Sequence, residues 1–526
     1  MTVGSVAISL EQVMKKGIVY LVGAGPGDIG LITVKGLECV KQADVILYDR
    51  LVDKRLLNHA HPKAELIYVG KSTDNHSLSQ PEINKLIVKK ALKHGKVVRL
   101  KGGDPYLFGR GGEEVETLIA HGIKFEIVPG VSALTAVPAY AGIPITHRDY
   151  ASSLSVITGH GKEGKLSSRI KWDKIATGAD TLVIFMGLEN LGDITKKLIR
   201  YGRSKNTPIA LIRRGTTSYQ KTIVGTLETI VALAKENALT PPVIAIIGDV
   251  VKLREKLRWF DNKPLFGKRI LVTRARAQAG SLSGLLEAKG AEVVEVPFIK
   301  IEPLANYKEL DAHIKNIRQY DWLIFTSVNG VQAFFNRLTE LDKEPRIVKR
   351  IKIAAIGPNT AEEVRKNGLK VNYVPKRFVA EAVVEGFPDK KLKGKRILLP
   401  RAQGAREILP KELEKLGAKV DEVVAYKTIQ PKSSGLMLKG IIKNKEIDII
   451  TFCSSSAVKN FCKIAEKNGL SAKKVLNEFI VACIGPITAE SVRKLGKEPE
   501  IIAEEYTING LVDSILKAIL FKRDSN

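Results

Sequence analysis

Lys268–Ala275 reads Lys-Arg-Ile-Leu-Val-Thr-Arg-Ala, and Lys395–Ala402 reads Lys-Arg-Ile-Leu-Leu-Pro-Arg-Ala, an offset of 127 (395 − 268). Asp321–Ser327 returns as Asp448–Ser454 at the same offset of 127 (448 − 321), and Ala355–Pro358 returns as Cys483–Pro486 at 128 (483 − 355). Each match is a short apolar run followed by a turn, the trace that a duplicated β-α-β unit leaves in a chain. Beyond about residue 260 the chain is therefore expected to fold as two similar α/β lobes facing a cleft. Hinged lobes serve binding modules and enzymes alike, so the duplication alone does not choose between them.

Upstream of the repeat, strand-like runs at Val45–Tyr48, Val97–Leu100, Phe125–Val128, Thr181–Met186, Ile209–Ile212 and Val243–Ile247 alternate with helical stretches from Gly17 to about Leu257. This is again an α/β pattern. Residues 259–266, with Asp261-Asn-Lys-Pro264, read as a linker between domains spanning 17–258 and 267–526. The turn Gly23-Ala-Gly-Pro-Gly-Asp28 follows the apolar run Ile18–Val22 and departs from a dinucleotide loop at two points. Asp28 stands where that loop has its third glycine, and Pro26 removes an N–H. The turn suits an uncharged or cationic ligand pressed against backbone better than a diphosphate.

The formal net charge of +28 comes from basic residues scattered over helical faces, with 6% aromatics and no basic-aromatic block. That points away from nucleic acid and towards a multiply anionic small molecule. Cys39, Cys453, Cys462 and Cys483 have neither C-x-x-C spacing nor neighbouring histidines, so no metal site or disulfide frame is expected and all four read as buried small hydrophobes. No signal peptide or membrane span is legible, and a cytoplasmic protein is expected.

Lys101-Gly-Gly-Asp-Pro105, Pro129-Gly-Val-Ser-Ala133, Phe185-Met-Gly187 and Arg213-Arg-Gly-Thr-Thr217 are further strand-end turns of small residues, so five loops are expected to line one pocket. Plainer roles stay open for Met186 as a core residue and for Ser132 as a helix cap. Together with Tyr48-Asp-Arg-Leu-Val52, Val69-Gly-Lys71 followed by His76, Arg110-Gly-Gly-Glu-Glu114 and Gly142–Asp149, this series resembles the uroporphyrinogen-III C-methyltransferases of the tetrapyrrole methylase family. The resemblance implies a two-lobed methylase fold, S-adenosylmethionine as cofactor, transfer of two methyl groups to uroporphyrinogen III to give precorrin-2, and a homodimer formed through this half. By match, Pro26, Gly102, Gly103, Asp104, Leu107, Ser132, Ala133, Met186 and Gly215 are cofactor contacts. Asp49 is the proton acceptor and Lys71 the proton donor; a ribose-binding or capping carboxylate and an exposed lysine are the alternatives. Lys101, Arg110 and Arg148 are candidates for the substrate's carboxylates. Val243 departs from the family, where alanine is common, and would tighten the adenine side.

The second half resembles uroporphyrinogen-III synthase through Thr326-Ser-Val-Asn-Gly330, Leu399-Pro-Arg-Ala402, Val424-Ala-Tyr-Lys-Thr428, Ser454-Ser-Ser-Ala457 and the paired Ile-Gly-Pro-x-Thr-Ala turns at 356–361 and 484–489. The resemblance implies cofactor-free closure of hydroxymethylbilane by two flavodoxin-like lobes. Glu292–Ile301 and Val420–Ile429 would be the crossings between them, which makes one lobe 267–302 with 427–526 and the other 303–426. Tyr426 would assist loss of the substrate hydroxyl, with Thr326, Ser327, Ser454, Ser455 and Thr488 holding substrate. For Thr360 and Thr488 an ordinary helix cap is the alternative. The rival reading of the whole chain is a nucleotide-dependent oxidoreductase fused to a bilobed binding module.

Overall fold

A computed structural model describes residues 16–70, 78–159, 169–273, 276–375, 386–388, 392–405, 408–444 and 447–524; Lys71 and His76 lie outside them. The described chain forms two compact units, the first comprising residues up to Arg269 with 286–292 and 519–526, the second 270–285 with 293–518.

In the first unit, β1 (Ile18–Gly23), β2 (Val45–Tyr48), β3 (Glu65–Tyr68), β4 (Lys96–Lys101) and β5 (Lys124–Val128) make a parallel sheet in the order β3-β2-β4-β1-β5. Alternate residues of β1 enter opposite core layers: Val19 and Leu21 one, Val22 the other. A second sheet, in the order β6-β7-β10-β8-β9, uses β6 (Leu154–Thr158), β7 (Thr181–Phe185), β8 (Pro208–Arg213), β9 (Lys221–Thr226) and β10 (Val243–Ile247). Only its β6–β7 pair is parallel; β10 runs against both β7 and β8. The run expected at Thr181–Met186 stops at Phe185 because Met186 takes a left-handed backbone, φ 53°.

The carboxyl ends of β1, β4 and β5 approach until only glycine fits. A Cβ on Gly23 would sit 2.5 Å from Gly130 Cα, and one on Gly130 would sit 2.4 Å from the Gly103 carbonyl oxygen. Gly25 and Gly103 form a two-way backbone bridge across the gap, with N···O distances of 3.3 and 2.7 Å.

The second unit carries two more sheets. One has the order β12-β11-β18-β19-β20 and takes β11 (Arg269–Val272), β12 (Glu292–Glu295), β18 (Ile449–Phe452), β19 (Ile480–Cys483) and β20 (Ile501–Ile502). The other has the order β13-β17-β16-β14-β15 and takes β13 (Lys300–Glu302), β14 (Trp322–Phe325), β15 (Lys352–Ala355), β16 (Arg396–Ala402) and β17 (Lys419–Ile429). β13 pairs antiparallel with the end of β17, Lys300 opposite Ile429. The helices Val328–Glu340 and Ser455–Lys467 begin 127 residues apart (455 − 328), each capped by a serine at the same offset (454 − 327). Ser327 Oγ accepts from Gly330 N at 3.0 Å and Ser454 Oγ from Ala457 N at 3.2 Å. Repeated sequence has produced repeated local geometry.

Two expectations are corrected. Threonine does not cap the Gly-Pro-x-Thr helices: Gly357 and Gly485 are the caps of Pro358–Lys366 and Pro486–Arg493, and Thr360 and Thr488 lie buried inside the first turn. Proline at the first helical position sets the start earlier than the threonine would. Of the cysteines only Cys483 is buried, its thiol pushed up to about 12 by burial; Cys39, Cys453 and Cys462 are partly exposed.

The glycine packing sets a stability contrast. Gly23→Ala should cost about 1–3 kcal/mol, the usual cost of overpacking, whereas Gly440→Ala, on a helix with nothing within 4 Å of its new methyl, should gain about 0.5–1 kcal/mol. Urea unfolding of the two variants should move in opposite directions.

Candidate active site

The glycine contacts hold apart a cavity of about 580 Å3 in the first unit. Pro26, Gly102, Gly103, Asp104, Leu107, Ser132, Ala133, Met186 and Gly215 all line it, as do Asp49, Lys101, Arg110 and Val243. Arg148 is exposed and is not among the lining residues.

Each wall has a local cause. At Gly103, φ is 67° and a side chain would meet only Ala133 N, at 3.8 Å, so it would project between two walls of the cavity. Asp104 is spent on backbone: Oδ1 accepts from Tyr106 N (2.8 Å) and Leu107 N (3.1 Å), and Oδ2 from Gly130 N (3.1 Å). It ties the β4 turn to the β5 turn. Ser132 caps the helix Ala133–Tyr140 by accepting from Leu134 N at 3.1 Å while it also faces the cavity. Met186 is 51% exposed, which excludes a core role. Phe108, Arg110, Met186 and Arg214 all line the cavity with φ between 46° and 59°. Such backbones cost about 1–3 kcal/mol each and persist where surrounding structure enforces them, as at ligand sites.

Most of the glycine turn's amides are already spent on the protein rather than free for a diphosphate. Ala24 N donates to Lys101 O (2.7 Å), Gly25 N to Gly103 O and Asp28 N to Thr216 Oγ1 (3.1 Å), while Pro26 has no N–H. Asp28 instead caps the short helix Ile29–Leu31, accepting from Gly30 N at 2.8 Å.

Beneath the cavity lies a charge cluster that the motif reading missed in part. Arg99 and Lys101 project from the same face of β4, two residues apart, and both are buried. Glu114, with a fully buried side chain, answers both: its Oε1 takes Arg99 Nε at 3.1 Å, Lys101 Nζ at 2.9 Å and Gln80 Nε2 at 3.2 Å. Its Oε2 has no partner among the described residues. Burial, and then Arg99, hold the Lys101 ammonium below the usual lysine range. Asp49 is anchored by Leu51 N on Oδ1 (3.1 Å), and its Oδ2 stands 3.6 Å from Arg99 Nη2. Arg110, at the cavity edge, pairs with Glu113 at 2.7 Å and holds that carboxyl below its ordinary range. A signal for Arg99 was present: cations at 99 and 101 alternate with apolar residues in a strand that is otherwise apolar from Val97 on.

In the second unit, Tyr426 is 6% exposed and its Oη lies 3.0 Å from Ser327 Oγ. Thr326 and Ser327 follow β14, while Ser454 and Ser455 follow β18; Ser454 Oγ lies 2.9 Å from Ser456 Oγ, and Ser455 Oγ donates to Ile487 O at 3.1 Å.

Two protein families match the chain: Tetrapyrrole (Corrin/Porphyrin) Methylases over residues 18–231 and Uroporphyrinogen-III synthase HemD over residues 280–513. Porphyrin biosynthesis protein HemD of Ruminiclostridium josui is 38% identical over 504 residues, 96% of this chain and 98% of that protein. Uroporphyrinogen-III C-methyltransferase of Priestia megaterium is 54% identical over 235 residues, 45% of this chain and 98% of its own. The Bacillus subtilis (strain 168) protein of the same name is 42% identical over 363 residues, 69% of this chain and 74% of its own.

Removing Glu114 would leave Arg99 and Lys101 buried against one partly exposed carboxylate. Glu114→Ala should therefore cost about 3–5 kcal/mol, and adding Lys101→Met should restore part of that loss. Denaturant unfolding of both variants measures the difference.

Proposed function

We propose a two-step role for this chain, which belongs to the tetrapyrrole methylases through residues 18–231 and to the uroporphyrinogen-III synthases through residues 280–513. The second half cyclises hydroxymethylbilane to uroporphyrinogen III, and the first half methylates that product twice with S-adenosylmethionine to give precorrin-2, on the route to sirohaem and cobalamin. The observation that carries the reading is the cavity. The residues expected at the cofactor line it, while the basic lining residues Arg50, Arg99, Lys101, Arg110 and Arg214 outnumber the acidic Asp49, Asp104 and Glu189. A sulfonium ligand needs no phosphate cradle, and the arginines and lysine of the lining are the groups that could hold a polycarboxylate substrate.

S-adenosylmethionine, when bound, supplies an electrophilic methyl group. The chain's part is to fix geometry, exclude water and move protons. Glycines at 102, 103 and 215 let backbone approach the ligand, and the strained turns at Phe108 and Met186 form part of the wall around it. As each carbon–carbon bond forms, a pyrrole proton must leave; Asp49, held by Leu51 N and facing Arg99, is the acceptor, and Lys71 returns a proton. Lys101 and Arg110 bear on the substrate carboxylates, Lys101 from the buried Glu114 cluster and Arg110 from the rim. Arg148 is assigned to the same carboxylates from outside the cavity lining.

In the synthase half, Tyr426 Oη, oriented by Ser327, hydrogen-bonds the bilane hydroxyl as it departs as water. Thr326, Ser454, Ser455 and Thr488 hold carboxylates or backbone nearby. The dinucleotide alternative is disfavoured because Ala24 N, Gly25 N and Asp28 N are already bonded within the protein and Pro26 has no N–H. A homodimer through the first half and a cytoplasmic setting complete the reading; no described helix is long and apolar enough to cross a membrane.

Asp49→Asn should bind S-adenosylhomocysteine as the parent does in calorimetry yet methylate about 10²-fold more slowly, the usual contribution of a general base. Parent-like turnover would return Asp49 to a structural cap.

Hydroxymethylbilane supplied without S-adenosylmethionine should yield uroporphyrinogen III, and with it precorrin-2. Tyr426→Phe should slow closure and raise the share of type I isomer, which forms spontaneously. The isomer ratio, read by chromatography after oxidation, decides, and type I product alone from the unaltered chain would sink the synthase assignment.

A further inference from the structure

Four hydrogen bonds around the cavity of the first unit close into a ring. Tyr140 Oη donates to Asp28 Oδ2 at 2.7 Å, and Asp28 N donates to Thr216 Oγ1 at 3.1 Å. Thr216 N donates to Gln220 Oε1 at 2.9 Å, and Gln220 Nε2 donates back to the Tyr140 carbonyl at 3.2 Å. The ring joins three segments that each supply a cavity wall: the glycine turn through Pro26, the helix Ala133–Tyr140 through Ala133 and Val137, and the β8 loop through Gly215.

The same three segments also touch directly. A Cβ on Gly27 would stand 2.6 Å from Thr217 Cγ2, and one on Gly215 would stand 2.4 Å from Val137 Cγ1. None of the four ring members lines the cavity. Burial and the Asp28 carboxylate push the Tyr140 hydroxyl well above its ordinary range, so it remains a donor at any working pH.

Tyr140 is also braced by aromatic side chains. Its ring meets Trp259 at 5.0 Å and Phe260 at 4.7 Å, both edge to face, and Trp259 Nε1 donates to Ala139 O at 2.9 Å. Arg254 bonds both the Ala141 carbonyl and Asp261, and Phe260 and Leu265 are buried. The segment after Leu257 is thus packed onto the carboxyl end of the helix whose first turn faces the cavity.

We infer that Tyr140 is a positioning residue for the cofactor site, holding the glycine turn, the helix and the Gly215 loop in register through this ring, with Trp259 and Phe260 as its brace. The inference rests on the cofactor reading above and adds to it residues that never touch the ligand. Fixing three loops before binding spares the ligand the cost of ordering them, so loosening the ring should appear in cofactor affinity rather than in the chemical step.

The test uses the full chain, with S-adenosylhomocysteine as calorimetric probe and methylation kinetics beside it. Tyr140→Phe keeps the ring packing and removes one hydroxyl; it should weaken the probe about tenfold, which is about 1.4 kcal/mol, and raise KM for S-adenosylmethionine to match. kcat at saturation and KM for uroporphyrinogen III should stay within about twofold of the parent. Gln220→Ala breaks the ring elsewhere and should weaken the probe to a similar degree, and the double variant should be no worse than the weaker single, as expected for two cuts in one circuit. Trp259→Ala should weaken binding severalfold. Parent-like affinity in Tyr140→Phe, an additive double variant, or a loss confined to kcat would overturn the inference, and should Tyr140→Phe fail to fold, Gln220→Ala decides alone. Failure of the unaltered chain to bind the probe would overturn the cofactor reading instead.

Discussion

Contact between the backbones at Gly23, Gly103 and Gly130 is the constraint on which the first unit depends. Three neighbouring parallel strands end at one place, and no atom separates the turns that leave them. Because the gap is closed by main chain, it cannot relax by a rotamer change, so the turns keep a fixed spacing. Asp104 adds to this by bonding amides of its own turn and of the β5 turn with its two oxygens. A carboxylate that would read as a ligand contact from its place in the motif is first of all a tie between loops.

Fixed turns permit strain elsewhere. The four left-handed non-glycine residues that line the cavity each cost energy that a loose loop would release by relaxing. The charge cluster below follows the same logic in electrostatic form: two cations buried on one strand face stay there because one buried carboxylate oxygen accepts from both. This leaves Asp49 near positive charge yet partly open to the cavity.

The second unit shows how far local sequence carries local structure. Serines 127 residues apart (454 − 327) cap helices of equal length with nearly the same backbone angles. The two lobes differ where the sequence differs: Tyr426 reaches Ser327 in one, whereas Ser454 meets Ser456 in the other. Duplication supplied the frame, and divergence at single side chains made the lobes unequal.

From the sequence alone, most of the first unit's strands, though not Glu65–Tyr68, Leu154–Thr158 or Lys221–Thr226, the repeat and the turns around the cavity were legible, because apolar periodicity, glycine spacing and offset matches are local properties of the chain. Asp28 breaking the phosphate loop was legible for the same reason. Its partners were not: Thr216 and Tyr140 are 188 and 112 residues away, and nothing in their neighbourhoods announces the contact. The same holds for Glu114 beneath Lys101, for the packing of residues 259–266 that read as a linker, and for the glycine rather than threonine caps of the synthase helices. The residue types that face a ligand are written into motifs, since each motif must satisfy its own turn. What holds those motifs in register is decided by burial and hydrogen bonding between distant segments, and only the folded chain brings those segments together.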